Sequence, residues 1–233
     1  MKKIILSIVL LIVQLFLQSA AVNAEDSQIT EKNKNRNSGE DTMNLILLCH
    51  EEICAESEGR LMNSETDDLS PEGIEAAKLA GKNLKENGYS FDMIYTSHLK
   101  RAHTVAAYIL KEVDKTQIPQ HESSVLYTKI DNNTEEKNIF AIPELRPVIE
   151  KINFYLKHDI LQNIKAGKNI LVVTDKNTIR VFLKYLLNMS DEEIMQTYIP
   201  ADNSFLFIMD KNLNIETAGF PIWPFPPEKI DWF

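Results

Sequence analysis

The chain has few of the residues that mark disulfide-rich, fibrous or nucleic-acid-binding proteins. Its 233 residues include two cysteines and seven glycines, and the formal net charge is −9. Cys49 and Cys54 are too few for a disulfide framework and lack zinc-finger spacing. The low glycine content excludes collagen, and the acidic balance opposes nucleic-acid binding through phosphate neutralisation. We therefore expect one ordinary globular domain held by a hydrophobic core.

Long apolar runs are also scarce, and the one near the N-terminus has the features of a signal peptide. Lys2 and Lys3 precede an apolar run over residues 4–17, and a small-residue segment ends at Ala24. As a helix the run would extend about 21 Å, short of the roughly 30 Å hydrocarbon core. We predict a signal peptide over residues 1–24, a secreted or periplasmic location and no stable membrane span after cleavage. An uncleaved anchor is the alternative.

The segments that flank the expected domain differ from it in composition. Residues 25–42 are almost entirely polar, which predicts a flexible linker. Residues 220–233 hold both tryptophans and four of the nine prolines, so they cannot form a regular helix. We expect this C-terminal tail to cover apolar surface, or alternatively to offer an aromatic peptide to a partner. The globular domain is predicted over residues 43–219.

Strand and helix signals alternate within that domain. Continuous apolar runs and short β-prone runs predict strands at residues 43–49, 91–96, 169–174 and 204–210, with a weaker candidate at 124–130. Caps and helical periodicity predict helices at residues 71–87, 100–113, 147–166 and 177–187, and a short one after the capping box of Ser190 and Glu193. This order predicts an α/β fold, a three-layer α/β/α sandwich with a mainly parallel central sheet.

In such a sheet, ligands bind beyond the carboxyl ends of the strands. His50 and Glu51 follow the first buried strand, and Asp175, Lys176 and Asn177 follow the strand over 169–174. A histidine at a strand end can act as a nucleophile or an acid-base group, although it can also simply hydrogen-bond its loop. Arg101, near a helix start, could bring an anion to the same edge, or form a surface salt bridge.

Residues 45–110 and 169–213, with Cys49-His50-Glu51-Glu52 and Asp175-Lys176-Asn177, resemble cofactor-dependent phosphoglycerate mutases of the histidine phosphatase superfamily. The resemblance implies the phosphoglycerate mutase-like fold, a phosphorylated histidine at His50, and phosphate-binding arginines at Arg101 and Arg60. It implies a phosphorylated small molecule or a protein partner. We expect no bound cofactor and no metal among the assigned site residues, and the acidic charge leads us to expect no nucleic acid.

The motifs depart from the family pattern at the charged positions. The family has arginine at Cys49, glycine at Glu51 and histidine at Asp175, and its proton-donor stretch should fall near Lys129, where nothing of it remains. These changes make the mouth of the pocket more negative and disfavour a phosphoryl dianion. We predict that Asp175 contacts Arg101 or His50, which would raise the pKa of His50 and disable the nucleophile.

Three functional interpretations follow. The first is an exported pseudoenzyme that acts as a binding or regulatory module. The second is a weak phosphomonoesterase, rather than a glycolytic mutase, that uses His50 with replacement cations such as Lys176 or Lys129. The third is a zinc site built from Cys49, His50, Glu51 and Asp175. The first two share their candidate residues, which are His50, Arg101 and Asp175 for catalysis and Arg60, Lys176, Asn177, Cys49 and Glu51 for ligand binding.

Overall fold

A computed structural model describes residues 42–50, 68–128, 138–197, 199 and 204–219. The described residues belong to one compact unit. The predicted signal peptide and C-terminal tail lie outside these ranges, as does the predicted linker except for its last residue, Thr42. That residue opens the first strand, so the linker prediction is one residue too long. Among the helices of the described ranges, none is long and apolar enough to cross a membrane.

Six strands form one mixed sheet in the order β3-β2-β4-β1-β5-β6. The strands are β1 (Thr42–Cys49), β2 (Met93–Thr96), β3 (Gln120–Glu122), β4 (Ile170–Thr174), β5 (Ser204–Asp210) and β6 (Ile215–Gly219). The first four are mutually parallel where they pair, whereas β5 and β6 run antiparallel to their neighbours. The predicted mainly parallel sheet is confirmed.

Helices cover both faces of this sheet. They are α1 (Pro71–Glu86), α2 (Lys100–Glu112), α3 (Arg146–Tyr155), α4 (Leu161–Lys165), α5 (Lys176–Leu187) and α6 (Asp191–Gln196), with a π-helical turn at Leu156–Ile160 between α3 and α4. The apolar residues of α1 and α2 pack on one face, and those of α3 to α6 pack on the other. The three-layer prediction is thus confirmed.

Strand β1 shows why its run of apolar residues is continuous. Leu45 and Leu47 face the cluster under α3 to α6, while Ile46 and Leu48 face the cluster under α1 and α2. Successive side chains of a strand point to opposite faces, so a strand covered on both sides needs apolar residues at every position. The arrangement places the end of β1, where His50 follows, inside the molecule.

The local signals at helix ends are also confirmed. The Ser70 hydroxyl accepts a hydrogen bond from the Gly73 backbone at 2.9 Å, and Pro71 occupies the first turn of α1. The long helix predicted over 147–166 is continuous from α3 to α4, and Gly167 follows it with a φ of +82°. Such a left-handed conformation is accessible to glycine without a Cβ clash.

Over its described residues, 124–128, the strand predicted over 124–130 is wrong. The strand at this edge, β3, ends at Glu122, and Ser124–Leu126 forms a 3₁₀ turn capped by the Ser123 hydroxyl. The apolar side chain of Leu126 enters the core, so the segment is buried without extending the sheet.

Strand β6 is an addition that the sequence interpretation missed. The Asp210 carboxylate accepts hydrogen bonds from the backbone of Asn212 and Asn214, and Leu213 adopts a φ of +68°. This turn reverses the chain and lets β6 pair antiparallel with β5. An aspartate followed closely by two asparagines is a turn signal that could have predicted the hairpin.

Candidate active site

The carboxyl ends of three parallel strands meet at one edge of the sheet. His50 follows β1 and donates its backbone N–H to the Thr174 carbonyl at 3.1 Å. Ser97 follows β2 and donates its backbone N–H to the Val173 carbonyl at 3.2 Å. Asp175 follows β4 directly. The structure therefore brings residues of both sequence motifs together at this edge of the sheet, which we name the catalytic edge.

His50 and Arg101 form a direct side-chain contact at this edge. Arg101 lies in the first turn of α2, and its Nε donates to Nδ1 of His50 at 3.2 Å. Both side chains are buried, His50 completely. Because Nδ1 accepts this hydrogen bond, the contact requires the imidazole to be unprotonated at that nitrogen.

The surroundings of His50 disfavour its charged form. Its pKa falls from 6.5 to about 3, first because burial removes water from the ring and second because the Arg101 charge repels a second cation. A hydrogen bond with its own backbone opposes these effects only partly. The prediction of a raised His50 pKa is therefore wrong in direction, because the sequence did not reveal how deeply the ring is buried.

The Asp175 carboxylate makes five hydrogen bonds, all to neighbouring chain segments. Its Oδ1 accepts from the backbone of Asn177 and Thr178, each at 3.0 Å, and from the Thr128 hydroxyl. Its Oδ2 accepts from the Thr128 backbone at 3.0 Å and from the Thr178 hydroxyl at 2.6 Å. These contacts make Asp175 the N-cap of α5.

This hydrogen-bonding pattern corrects the expected role of Asp175. The predicted contact with Arg101 or His50 is not among the bonds of its carboxylate, which go to Thr128 and to the start of α5. The aspartate side chain is short, so its oxygens bind the backbone N–H groups at the start of α5 rather than groups across the edge. Asp175 is therefore placed at the catalytic edge with its oxygens already occupied.

The remaining described candidates have different surroundings. Cys49 is buried in the apolar cluster under α3 to α6. Lys176 is half-buried at the first position of α5, and within the described residues it takes part in no ion pair. Asn177 is buried and its Oδ1 accepts a hydrogen bond from Arg180. Asn177 thus belongs to a buried side-chain hydrogen-bond pair.

Several candidates lie outside the described residues. Arg60, Glu51 and Lys129 belong to this group, so their predicted roles stay predictions. Within the described ranges, no three histidine, cysteine, aspartate or glutamate side chains group in a way that could hold a metal ion.

Two residues of the edge were missed by the sequence interpretation. Arg180 is buried and donates from Nη1 to the Asn177 amide oxygen at 2.9 Å. Its signal was available, because an arginine stands between apolar residues of α5, three positions after Asn177. Thr128 gave no comparable signal, since its partner Asp175 is 47 residues away in the chain.

Comparison with solved structures defines the class of fold. Phosphoglycerate mutase from Bacillus anthracis str. Sterne is 15% identical with a TM-score of 0.58, over 78% of this chain and 95% of that one. Phosphoserine phosphatase from Entamoeba histolytica is 20% identical with a TM-score of 0.58, over 78% and 98%. A putative α-ribazole-5′-P phosphatase from Escherichia coli is 19% identical with a TM-score of 0.58, over 77% and 95%. The chain therefore has the phosphoglycerate mutase-like α/β fold.

A family model also matches part of the sequence. The family model of the histidine phosphatase superfamily (branch 1) matches residues 45–124, a range that contains both His50 and Arg101. Together with the fold, this match confirms the resemblance predicted from the motifs. Over residues 45–124 and in its fold, the chain is therefore similar to phosphoglycerate mutase-like proteins of the histidine phosphatase superfamily.

Proposed function

We propose that the protein is an exported pseudoenzyme of the histidine phosphatase superfamily that uses the fold as a binding or regulatory module. The observation that carries this proposal is the state of Asp175. Its fully buried carboxylate accepts five hydrogen bonds at a position where the resembling family has a histidine. When ionised, a carboxylate cannot donate a hydrogen bond to a phosphoryl oxygen, so this position lacks the donor that would stabilise a transferring phosphoryl group.

The first motif supports the same conclusion. The family arginine that would hold the phosphate is replaced by Cys49, which is buried among apolar side chains. Removal of one preorganised donor lowers a catalytic rate by about 10²- to 10³-fold, and such losses combine non-additively. Two substituted positions at one edge are therefore enough to remove most phosphoryl-transfer activity.

A weak phosphomonoesterase is the second candidate, because His50 and Arg101, which match the family's nucleophile and a phosphate-binding arginine, lie together, with Nδ1 and Nε 3.2 Å apart. In that reaction Arg101 would first release Nδ1 of His50, whose lone pair then forms a bond to phosphorus while the ester P–O bond breaks and the leaving oxygen takes a proton from water. Water then attacks the phosphohistidine and releases inorganic phosphate, and the imidazole recovers its lone pair. The low pKa of His50 keeps it unprotonated for such an attack at neutral pH.

An assay of the mature chain separates the two candidates. p-Nitrophenyl phosphate and 3-phosphoglycerate are the probes, and each is tested at several pH values with the wild type and His50→Ala. His158→Ala, at an exposed histidine of the π-helical turn, is the matched control. The pseudoenzyme predicts no phosphate release, or release that both variants leave unchanged. Release that disappears only in His50→Ala would establish the phosphomonoesterase.

The binding function is tested by measuring the binding of 3-phosphoglycerate, with no reaction required. We expect a phosphorylated small molecule, or a phosphorylated group on a protein partner, to contact Arg101 because this buried guanidinium lies in the first turn of α2 at the catalytic edge. Calorimetric titration with 3-phosphoglycerate should give heat that Arg101→Gln abolishes. Equal binding by both forms would mean that Arg101 is not part of the ligand site.

Export is tested separately from activity. The proposal expects secreted or periplasmic material to begin at Glu25, because the sequence up to Ala24 fits a signal peptide. N-terminal sequencing of protein recovered from its native host measures this directly. A membrane-bound chain that begins at Met1 would favour the uncleaved anchor instead.

A further inference from the structure

Residues 123–128, called the strap below, cross the catalytic edge between its two motifs. The strap begins where the Ser123 backbone donates to the Thr96 carbonyl at 3.0 Å, at the end of β2. It ends at Thr128, which meets Asp175 beyond the end of β4. The strap therefore links the end of β2 to the end of β4, which are far apart in the chain.

Side chains from the sheet hold the middle of the strap. The Leu126 side chain is fully buried, and its carbonyl accepts a hydrogen bond from the Thr174 hydroxyl at 2.6 Å. The Tyr127 ring packs edge-on against His98 at a centroid distance of 5.6 Å. Each of these contacts spans the edge and none belongs to the sheet ladder.

Thr174 connects the strap to the candidate nucleophile. Its hydroxyl donates to the Leu126 carbonyl, while its own carbonyl accepts the His50 backbone N–H at 3.1 Å. A displacement of the strap therefore acts on the residue that orients the His50 backbone. Asp175 stands next to Thr174 in the chain and fixes the far end of the strap through both the backbone and the hydroxyl of Thr128.

We propose that Asp175 is a positioning residue whose carboxylate fastens the strap across the catalytic edge and, through Thr174, fixes the backbone of His50. The replacement at the second motif then has a use of its own, because it gives the fold a five-donor anchor between the strap and α5. A histidine at 175 could not accept these five hydrogen bonds, since a neutral imidazole has one acceptor nitrogen.

Two threonines provide a matched pair of variants. Thr128→Val and Thr178→Val each remove one hydroxyl that donates to the Asp175 carboxylate, and the change of shape is the same. Thr128 joins Asp175 to the strap, whereas Thr178 lies within α5, three residues away. Only the first variant should loosen the strap, and Thr128→Ser should restore it because the hydroxyl returns.

Asp175→Asn provides an independent variant. With its amide oxygen at the Oδ1 position, asparagine still accepts from the backbone of Asn177 and Thr178 and keeps the helix cap. Its NH₂ group then faces the Thr128 N–H at the Oδ2 position, and two donors cannot bond to each other. This variant should therefore also loosen the strap while α5 stays capped.

Amide hydrogen exchange and histidine titration by NMR are the measurements. We expect backbone amides of residues 124–128 to exchange at least tenfold faster in Thr128→Val and Asp175→Asn than in Thr178→Val. We also expect the His50 ring to titrate at a higher pH in these two variants, because a loosened edge admits water. If the strap amides and the His50 titration of both variants equal those of Thr178→Val, the proposal is wrong.

If Thr128→Val does not fold, Asp175→Asn and Thr128→Ser still test the proposal by the same two measurements. Neither measurement uses phosphatase activity. Failure of the strap proposal is therefore distinguishable from failure of the pseudoenzyme proposal.

Discussion

The two strand ends that carry the family motifs each bury a polar side chain, but those side chains have different hydrogen-bond partners. At the end of β1, His50 accepts a hydrogen bond at Nδ1 from the Arg101 side chain of α2. At the end of β4, Asp175 is bonded mainly to backbone and hydroxyl groups of Thr128 and α5. The first end keeps an arrangement that chemistry could use, whereas the second has become part of the scaffold.

Asp175 stands where the resembled family has a histidine, and it has contacts of its own there. The Asp175 side chain completes a helix cap and joins segments that are distant in the chain. One residue therefore combines a departure from the family pattern with a structural contact. Restoring the family histidine there would cost the contact.

Among substitutions compared at neutral pH, removal of the Asp175 carboxylate should have the largest effect. Asp175→Ala leaves the buried Thr128 N–H without its acceptor and removes the cap of α5. We expect the free energy of unfolding in urea to fall by about 3 kcal/mol. Asp210→Ala, at a turn aspartate with several backbone donors, is the control and should lose less. Equal losses for the two variants would contradict a scaffold role for Asp175.

Acidification tests the first strand end. Because the pKa of His50 is about 3 in the folded chain and 6.5 for an unperturbed histidine, the unfolded chain takes up a proton first as the pH falls. His50 should therefore reduce stability as the pH drops from 6.5 towards 3, by about 1.4 kcal/mol per pH unit. Urea unfolding of the wild type and His50→Asn, compared across this range, isolates the effect. Parallel curves would mean that His50 is solvated in the folded state.

The link between the two ends is tested at Thr174. Thr174→Val keeps the shape but removes the donor to the buried Leu126 carbonyl. We expect a loss of about 1 kcal/mol in the free energy of unfolding, because one buried acceptor is left without its hydrogen bond. A change below the error of a urea titration would show that water replaces the missing hydroxyl.

Lys176 should give the smallest effect. It is half-buried at the start of α5 and, within the described ranges, forms no ion pair. Lys176→Gln should change the free energy of unfolding by no more than about 0.5 kcal/mol, as surface substitutions usually do. Arg101→Gln is the comparison, because it removes a buried side chain bonded to His50. A larger loss for Lys176→Gln than for Arg101→Gln would mean that Lys176 has taken over as the cation of this edge.

Features set by neighbouring residues were predictable from the sequence. The buried run of β1 and the Ser70 and Ser190 caps were predicted within a residue or two, because their signals lie within one turn or one strand. The strap was not predictable as a 3₁₀ turn, since Thr174 and Asp175 bind it from 48 and 47 residues away. The partners of Asp175 were mispredicted for the same reason.

The sequence by itself determined the layered α/β order, the family resemblance and the residues at both strand ends, because apolar periodicity and short motifs are local properties. Only the tertiary structure decided how those residues are used. Burial lowers the pKa of His50 and Thr128 meets Asp175 because the chain folds back on the sheet edge. Desolvation and long-range hydrogen bonds depend on that folding, so they cannot be predicted from any single stretch of sequence.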